Sequence, residues 1–263
     1  MRYVLLIAFL IPGLLSSAQS RQTQDFDAGW KFHPGDAPQA REAAYSDARW
    51  RSLNLPHDWS IEGKFSKDHP ATPNEGALPT GIGWYRKTFG LPAASAGKKI
   101  FIRFDGVYCN SEVWVNGHYL GKRPNGYISF EYELTPYLKF GSKNVIAVKV
   151  DNSAQPNSRW YTGSGIYRNV WLITTAKTYF ISGGTFISTP GINQQAATLH
   201  VETAIRASSW PLMLKIAVYR NGRLVASDIS ALKHSADTLT VAQRNSRINR
   251  PDLWSVSRPA LYR

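Results

Sequence analysis

The chain has 263 residues, of which 43% are hydrophobic and 19% charged, and its formal net charge is +13. This composition excludes wholesale disorder. The sequence has no glycine-triplet repeat, no heptad pattern and no second long apolar run, which excludes collagen-like, coiled-coil and polytopic membrane proteins. A complete (β/α)₈ barrel needs about 250 residues, so the chain is too short to hold one in addition to the strands described below. The positive charge is spread along the chain, with no nucleic-acid-binding motif and no aromatic stacking platform at its densest cluster, so a nucleic acid is not expected as a partner.

The first 18 residues have the organisation of a secretory signal peptide. A positive start at Met1-Arg2 precedes the apolar run Tyr3–Leu15, and Ser16-Ser17-Ala18 is a small-residue cleavage site. The apolar run is too short to span a bilayer, which needs about 20 residues. We therefore expect a mature chain that begins near Gln19, is exported to the periplasm or secreted, and has no membrane as a partner. A buried N-terminal helix or strand is the alternative.

Alternation of apolar and polar residues predicts β-strands through the rest of the chain. It is clearest at Lys99–Val107 and Asn144–Val150, and Asn116-Gly117 predicts a tight hairpin between them. Gln39–Ala48 is the only stretch typical of a helix, and it is short and uncapped. Many strands at spacings of about 8–12 residues predict an all-β sandwich or jelly roll. Further predicted strands, bounded by glycine or proline, are Trp84–Phe89, Val170–Thr174 and Tyr179–Ser188.

A domain boundary is predicted at Lys177–Ile181, where the composition changes. Residues 19–180 hold seven of the nine tryptophans, and the later part holds two. The later part has its own apolar alternation and its own hairpin signal, Asn221-Gly222. We therefore predict a first sandwich to about residue 178 and a smaller second one from about residue 180.

Motifs of common enzymes and metal sites are missing from the sequence. It contains no G-x-S-x-G elbow, P-loop, H-E-x-x-H or paired C-x-x-C, so neither a cofactor nor a metal is expected. Glu131 and Glu133 share one face of a predicted strand, but two solvated carboxylates are favoured over a catalytic pair. Such pairs face each other across the scissile bond from different elements. Cys109, the only cysteine, is expected to be a buried apolar side chain rather than a nucleophile.

Five longer phrases follow one another along the chain: Leu55–Trp59 (LPHDW), Gly83–Lys87 (GWYRK), Phe104–Gly117 (FDGVYCNSEVWVNG), Arg159–Val170 (RWYTGSGIYRNV) and Asn249–Ser255 (NRPDLWS). In this order they resemble the N-terminal half of family 2 glycoside hydrolases, the β-galactosidase and β-glucuronidase group. Any one of them alone would be weak evidence, but together the resemblance covers nearly the whole mature chain.

The resemblance implies a jelly-roll sugar-binding domain over residues 19–178 and an immunoglobulin-like β-sandwich over residues 180–263. The second is expected to be incomplete, because it is shorter than the about 100 residues of a seven-stranded sandwich. In the family a (β/α)₈ barrel follows and carries both catalytic glutamates; its signatures are not found here. Asn74-Glu75 resembles the barrel's acid/base dipeptide, but we assign it to a Pro/Gly-rich loop. The chain is therefore expected to be inactive alone, although it resembles enzymes that hydrolyse O-glycosidic bonds with retention.

The resemblance also implies sugar contacts in two loops. Arg159 stands where the best-known members carry an aspartate; an arginine donates hydrogen bonds but cannot hold a cation, which puts a bound metal in doubt. Trp160 beside it is suited to stack on the apolar face of a pyranose. Tyr108 aligns with the family's sugar-contacting asparagine, and Asn110 lies two residues later and is a candidate substitute. Packing within a loop or between domains is an equally open alternative for these residues.

Three other residues of the phrases are expected to be structural. Buried roles are predicted for Trp114 and Arg168. Asp58 is predicted to cap backbone N–H groups of its own turn.

Three functions are compatible with these observations. The first is the non-catalytic N-terminal part of an exported β-galactosidase-like enzyme, which would bind a β-galactoside-like carbohydrate through loops that face an absent barrel. The second is a free-standing, lectin-like carbohydrate-binding module. The third is a scaffold without carbohydrate, since a fold does not fix a function. Exposure of Arg159 and Trp160 together on one loop would favour the first two.

Overall fold

The computed structural model describes residues 21–233 and 239–263. The predicted signal peptide, residues 1–18, lies outside these ranges and stays a prediction. Within them, no helix is both long enough and apolar enough to cross a membrane.

Ten strands form the N-terminal β-sandwich. One sheet has the strand order β1-β10-β5-β8 and the other β3-β2-β4-β9-β6-β7, and every pairing is antiparallel. The strands are β1 (Gln22–Asp25), β2 (Trp30–Pro34), β3 (Arg51–Leu53), β4 (Gly81–Gly90), β5 (Lys99–Phe104), β6 (Ser111–Val115), β7 (His118–Arg123), β8 (Phe130–Glu133), β9 (Lys143–Asn152) and β10 (Val170–Thr175).

The core of this sandwich lies between its two sheets. Ile100, Ile102 and Phe104 of β5 point into it, as the alternation in the sequence predicts, and they are fully buried. Ile146 and Val148 enter the same cluster from β9 in the other sheet. Burial of each such side chain contributes about 1.5–3 kcal/mol, so the two facing strands alone supply much of the stability of this layer.

The outer face of the six-stranded sheet is covered by the segment before β3. Trp84 of β4 and Trp114 of β6 stack with ring centroids 5.3 Å apart, and Trp50 and Ala40 close the cluster above them. The predicted burial of Trp114 is confirmed.

The predicted helix at Gln39–Ala48 is wrong. Only Pro38–Arg41 is helical, as a single 3₁₀ turn, and no side chain caps it. The reason is the guanidinium of Arg86, which takes the carbonyl oxygens of Ala40, Glu42 and Tyr45 as acceptors. These three carbonyls converge on one buried cation, whereas the carbonyls of a continuous helix all point along its axis, and Glu42 O also accepts Tyr45 N–H in a turn.

The predicted Asn116-Gly117 hairpin is confirmed between β6 and β7. Both residues have positive φ, +50° and +87°, which is the backbone of a tight two-residue turn. The Asn116 side chain also ties the turn to neighbouring segments: its Nδ2–H donates to Asn144 Oδ1 and Tyr137 O, and its Oδ1 accepts from Val145 N–H.

Five strands form the C-terminal β-sandwich: β11 (Tyr179–Ile192), β12 (Ala196–Arg206), β13 (Met213–Arg220), β14 (Arg223–Ala231) and β15 (Leu239–Asn249). The sheets are β11-β12-β15 and β13-β14, and the predicted Asn221-Gly222 turn joins β13 to β14. Small apolar clusters, such as Ile205 with Leu214, lie between the sheets, and a cavity of about 360 Å³ remains beside them.

The expected all-β fold, a β-sandwich followed by a second, smaller β-sandwich, is confirmed. In the described residues no strand of the first sandwich pairs with a strand of the second. Strand β10 ends at Thr175 and β11 begins at Tyr179. The precise domain bounds at residues 178 and 180 stay a prediction.

Candidate functional site

The loop between β9 and β10 carries two of the predicted contact residues at its surface. Arg159 and Trp160 are both exposed, and Trp160 retains 60% of its accessible surface. Within the described ranges, the Arg159 side chain makes no hydrogen bond or ion pair to the protein. The two side chains are thus available together on one loop.

A second loop, between β7 and β8, holds the Trp160 indole from the side. The indole N–H donates to Tyr127 Oη at 3.3 Å, and the Tyr127 ring packs edge-on against Tyr108 with centroids 5.4 Å apart. Tyr108 Oη–H donates in turn to Asn157 Oδ1 at 3.4 Å. These four residues, which we call the aromatic cluster, join three loops, since Tyr108 lies between β5 and β6.

Tyr108 and Asn110 line a cavity of about 280 Å³ beside the aromatic cluster, together with Tyr127, Asp151 and Asn157. Tyr108 is mostly buried, and burial raises the pKa of its phenol to about 12, so this group stays a neutral hydrogen-bond donor. Asn110 has a φ of +45°, and its Nδ2–H donates to Asp151 O at 3.2 Å. Its amide therefore fixes the loop as well as lining the cavity.

The structure brings three of the four predicted contacts together. Tyr108 and Asn110 share the cavity, and Trp160 reaches Tyr127 at the cavity wall. Arg159 does not line this cavity; it is adjacent to Trp160 in the chain and faces solvent.

Glu75 lies beneath the loop and was not predicted to matter there. It ends the 3₁₀ turn Pro73–Glu75 and is only 4% exposed. Its Oε1 accepts the backbone N–H groups of Asn157 and Ser158 at 2.7 and 2.6 Å, and its Oε2 accepts that of Thr72 at 3.2 Å. Burial acts to raise the pKa of this carboxyl, but the N–H donors outweigh it and the pKa lies below its usual value.

Asp58 fixes the other end of the same loop. Its Oδ1 accepts Ser60 N–H at 2.9 Å, which confirms the predicted local cap, and also Ser164 N–H at 2.8 Å. Its Oδ2 accepts Tyr161 Oη–H. Gly165 must be glycine for this connection, because its φ is +133° and a Cβ there would lie 2.5 Å from His57 O.

Two other predictions about single residues differ in outcome. Cys109 is buried as predicted, and burial raises the pKa of its thiol to about 11, so it is not a thiolate nucleophile. The predicted burial of Arg168 is wrong, because the residue is exposed. Its side chain lies on the surface of the sandwich, with the methylene groups over Gly106 and the guanidinium 5.2 Å from the centroid of the Tyr167 ring.

Glu131 and Glu133 do not form a facing pair. Both lie on β8, where Glu133 forms an ion pair with Lys99 at 2.6 Å. Glu131 is half-buried rather than solvated, and burial raises its pKa. The prediction of two solvated carboxylates is therefore wrong for Glu131, while its conclusion that they are no catalytic pair fits the geometry. The described residues also contain no group of three or more His, Cys, Asp or Glu that could hold a metal ion.

Sequence reasoning missed Tyr127 and Glu75. Tyr127 follows an Asn-Gly dipeptide at residues 125–126, and an aromatic residue after such a turn signal was the available indication. Glu75 gave no such signal, since its partners are 82 and 83 residues away in the chain.

The fold and the loop cluster define an all-β protein with an exposed aromatic and cationic loop at one end of a β-sandwich. Residues 23–176 match the model of the sugar binding domain of glycosyl hydrolases family 2. This match covers more than half of the sequence, and the chain belongs to that family.

Individual relatives agree with the family. The chain is 46% identical over 252 residues to a β-galactosidase of Bacteroides ovatus and 39% identical over 249 residues to a putative β-glucuronidase of Formosa agariphila. Among solved structures, a β-glycosidase from Bacteroides vulgatus is similar with a TM-score of 0.81 and 44% identity, over 92% of this chain and 31% of that one.

The aligned region is a minor part of each relative. It covers 94% of this chain in both curated relatives, but only 30% of the first and 23% of the second. The chain thus spans less than a third of the length of these relatives.

Proposed function

We propose that this chain is the sugar-binding, non-catalytic N-terminal part of an exported β-galactosidase-like glycosidase of family 2. The observation that carries the proposal is the exposed Trp160, held by Tyr127 beside the exposed guanidinium of Arg159. The candidate contacts with carbohydrate are Arg159, Trp160, Tyr108 and Asn110, to which we add Tyr127.

The chemistry of these side chains suits a sugar ring. The face of an indole packs against the axial C–H groups of a pyranose, and aromatic side chains bring a large contact area at low cost in conformational entropy. The guanidinium of Arg159 offers several N–H donors to sugar hydroxyls or to a uronate carboxylate. The neutral phenol of Tyr108 and the polar wall of the cavity provide hydrogen-bonding partners for a second group on the ligand.

Hydrolysis is proposed to be the task of carboxylates outside this chain. A retaining mechanism needs two carboxyl groups about 5–5.5 Å apart that face the glycosidic bond. Asp58 and Glu75 are each bonded to three or more protein donors, and Asp151, which lines the cavity, accepts Ser153 N–H and Oγ–H. They are committed to holding the loop and are not offered to a substrate.

Titration of the purified chain with methyl β-galactopyranoside, followed by NMR, tests the proposal. We expect binding in the millimolar range, because only part of the pocket is present, with the largest shifts at Trp160 and Tyr127. A parallel assay with a chromogenic β-galactoside is expected to show no turnover. A flat titration, or turnover abolished by a mutation in this chain, would contradict the proposal.

A second candidate is a free-standing carbohydrate-binding module, favoured by one observation: Tyr108 and Asn110, both predicted to contact sugar, line one cavity beside the aromatic cluster. It requires affinity without any other part of a glycosidase. Micromolar affinity for a galactoside or a glucuronide in the titration above would favour this candidate over the first.

Export is proposed from the sequence of residues 1–18. Expression with a C-terminal tag, followed by mass spectrometry of the tagged protein from the periplasm or medium, tests it. A mature N-terminus near Gln19 is expected, and retention of Met1 by intracellular protein would contradict export.

A further inference from the structure

Glu75 reaches the contact loop through two of the loop's backbone N–H groups. The carboxylate is almost fully buried, and its Oε1 accepts both Asn157 N–H and Ser158 N–H, at 2.7 and 2.6 Å. Its other oxygen accepts Thr72 N–H and, at 3.4 Å, Thr72 Oγ1–H, which closes the capping box of its own 3₁₀ turn. The loop is thus bonded to a buried, ionised group on a separate segment of the sandwich.

Ser158 transmits this contact directly to Trp160. Its Oγ–H donates to Trp160 O at 2.5 Å, and the same oxygen accepts Trp160 N–H at 3.3 Å. Glu75 therefore fixes the backbone of Ser158, and the Ser158 hydroxyl fixes the backbone of Trp160 through two hydrogen bonds. The indole is fixed separately at its far end by Tyr127.

An exposed tryptophan on a loop normally samples several rotamers, so ordering its side chain and its backbone on ligand binding costs conformational entropy. Here the backbone at Trp160 is already ordered by a hydrogen bond to Ser158, whose own N–H is bonded to a charged acceptor. Hydrogen bonds to a charged group are stronger than neutral ones, so the bond from Ser158 N–H to the Glu75 carboxylate is stronger than the bonds between Ser158 and Trp160.

We propose that Glu75 is the positioning residue of the carbohydrate site: through Ser158 it holds the backbone of Trp160 so that the indole stays exposed to a sugar ring with its N–H on Tyr127 Oη. This inference rests on the proposed function, and it adds the residue that positions Trp160 before the sugar arrives. Glu75 itself does not touch the sugar.

The test uses the full chain labelled with 5-fluorotryptophan. Each of the nine tryptophans gives its own ¹⁹F resonance, and W160F assigns the one from Trp160. In Glu75→Ala we expect the Trp160 resonance to shift and broaden while those of Trp84 and Trp114, in the sheet cluster, stay in place. The affinity for methyl β-galactopyranoside is expected to fall about two- to tenfold, because the loop and the indole must then be ordered when the sugar binds.

Two further variants separate positioning from folding. Glu75→Gln keeps one oxygen that can accept Asn157 N–H and Ser158 N–H, although its NH2 group cannot accept Thr72 N–H, so relative to Glu75→Ala we expect it to restore part of the affinity and of the Trp160 resonance. Ser158→Ala leaves the Glu75 carboxylate and its N–H contacts intact but removes the hydroxyl that bonds the backbone of Trp160. It should therefore shift the Trp160 resonance, and this readout remains even if Glu75→Ala fails to fold. Glu133→Ala, which removes the ion pair with Lys99 on another strand, is the matched control and should change neither readout.

The outcomes are distinct. Unchanged Trp160 resonance and unchanged affinity in Ser158→Ala, or in a folded Glu75→Ala, would overturn the positioning role. If the wild-type chain binds no sugar, the proposed function fails, whereas the ¹⁹F spectra still decide whether Glu75 and Ser158 orient Trp160.

Discussion

Arg86 and Asp47 form an ion pair across the outer face of the six-stranded sheet, with Arg86 Nε donating to Asp47 Oδ2 at 2.9 Å. Arg86 is only 1% exposed, and its remaining N–H groups bond backbone carbonyls of the covering segment. The guanidinium therefore shapes that segment: the carbonyls turn toward the charge instead of forming a helix. A buried cation of this kind is stable only while all its partners are present.

Substitution of this arginine should be strongly destabilising. Arg86→Ala removes the side-chain donor of the buried Ala40 carbonyl, of Tyr45 O and of the Asp47 carboxylate, so we expect a loss of about 3–5 kcal/mol in the free energy of unfolding. Urea denaturation followed by tryptophan fluorescence measures it. Arg41→Ala is the control, since its ion pair with Glu42 is on the surface and is worth at most about 1 kcal/mol. Equal losses in the two variants would contradict this account.

Trp160 should matter for binding and not for stability. In Trp160→Ala, we expect at least about tenfold weaker binding of methyl β-galactopyranoside, on the scale of an aromatic anchor of an interface, with little change in the midpoint of thermal unfolding. Trp254→Ala is a matched control, because Trp254 in the C-terminal part is also 60% exposed. Calorimetric titration and scanning calorimetry separate the two quantities. A similar effect of both substitutions on affinity would remove Trp160 from the site.

The strands and hairpins followed from the sequence because their signals are local. Alternation at Lys99–Val107 and the Asn-Gly pairs at residues 116–117 and 221–222 are set by neighbouring residues alone. The segment at Gln39–Ala48 was predicted wrongly because a distant residue, Arg86, takes its carbonyls. Glu75 was missed for the same reason. The site's exposed residues came from motif resemblance, but the residues that hold them depend on contacts that only the folded chain creates.

The two Asn-Gly turns should differ in their sensitivity to substitution. Both asparagines have φ near +50°, which disfavours alanine equally. Asn116, however, also bonds three groups of neighbouring segments, whereas within the described residues the amide oxygen of Asn221 accepts only from the adjacent, half-buried Arg220. We expect Asn116→Ala to cost about 2–4 kcal/mol and Asn221→Ala about 1 kcal/mol.

Chemical denaturation of each variant measures this difference, and the Asn221 variant serves as the control for backbone strain alone. Equal costs would mean that the side-chain bonds of Asn116 contribute nothing beyond the turn itself.

His57 predicts a pH dependence of stability. It is buried, its Nε2 lies 2.8 Å from Arg51 Nη2 and its Nδ1 lies 2.7 Å from Tyr85 Oη. Because arginine has no acceptor, Nε2 must accept, and the proton is on Nδ1, which donates to Tyr85. Burial lowers the pKa of His57 below 6.5, and the nearby Glu62 carboxylate opposes this shift only in part.

The sign of the effect follows from proton linkage. Between pH 6.5 and the lower pKa of the folded state, the unfolded chain binds the proton and the folded chain does not. Stability therefore decreases as the pH falls below about 6.5, by at most about 1.4 kcal/mol per pH unit from this group. Glu62 acts in a separate window: its pKa is lowered below 4.5, chiefly by the hydrogen bond from Arg51, so its contribution is lost only in stronger acid.

Urea denaturation of the wild type and His57→Gln at pH 5.0, 6.0, 7.0 and 8.0 measures this contribution, with the pH values chosen on either side of about 6.5, where a histidine in an unfolded chain titrates. The variant should be less stable than the wild type at pH 8.0, because it loses the bonds to Tyr85 and Arg51, but the difference between the two should shrink as the pH falls. Above pH 7 the two stability curves should run parallel, which serves as the internal control. A constant difference across the whole range would mean that His57 keeps its ordinary affinity for protons in the folded chain, and that its burial beneath Arg51 and Glu62 is not enough to hold it neutral.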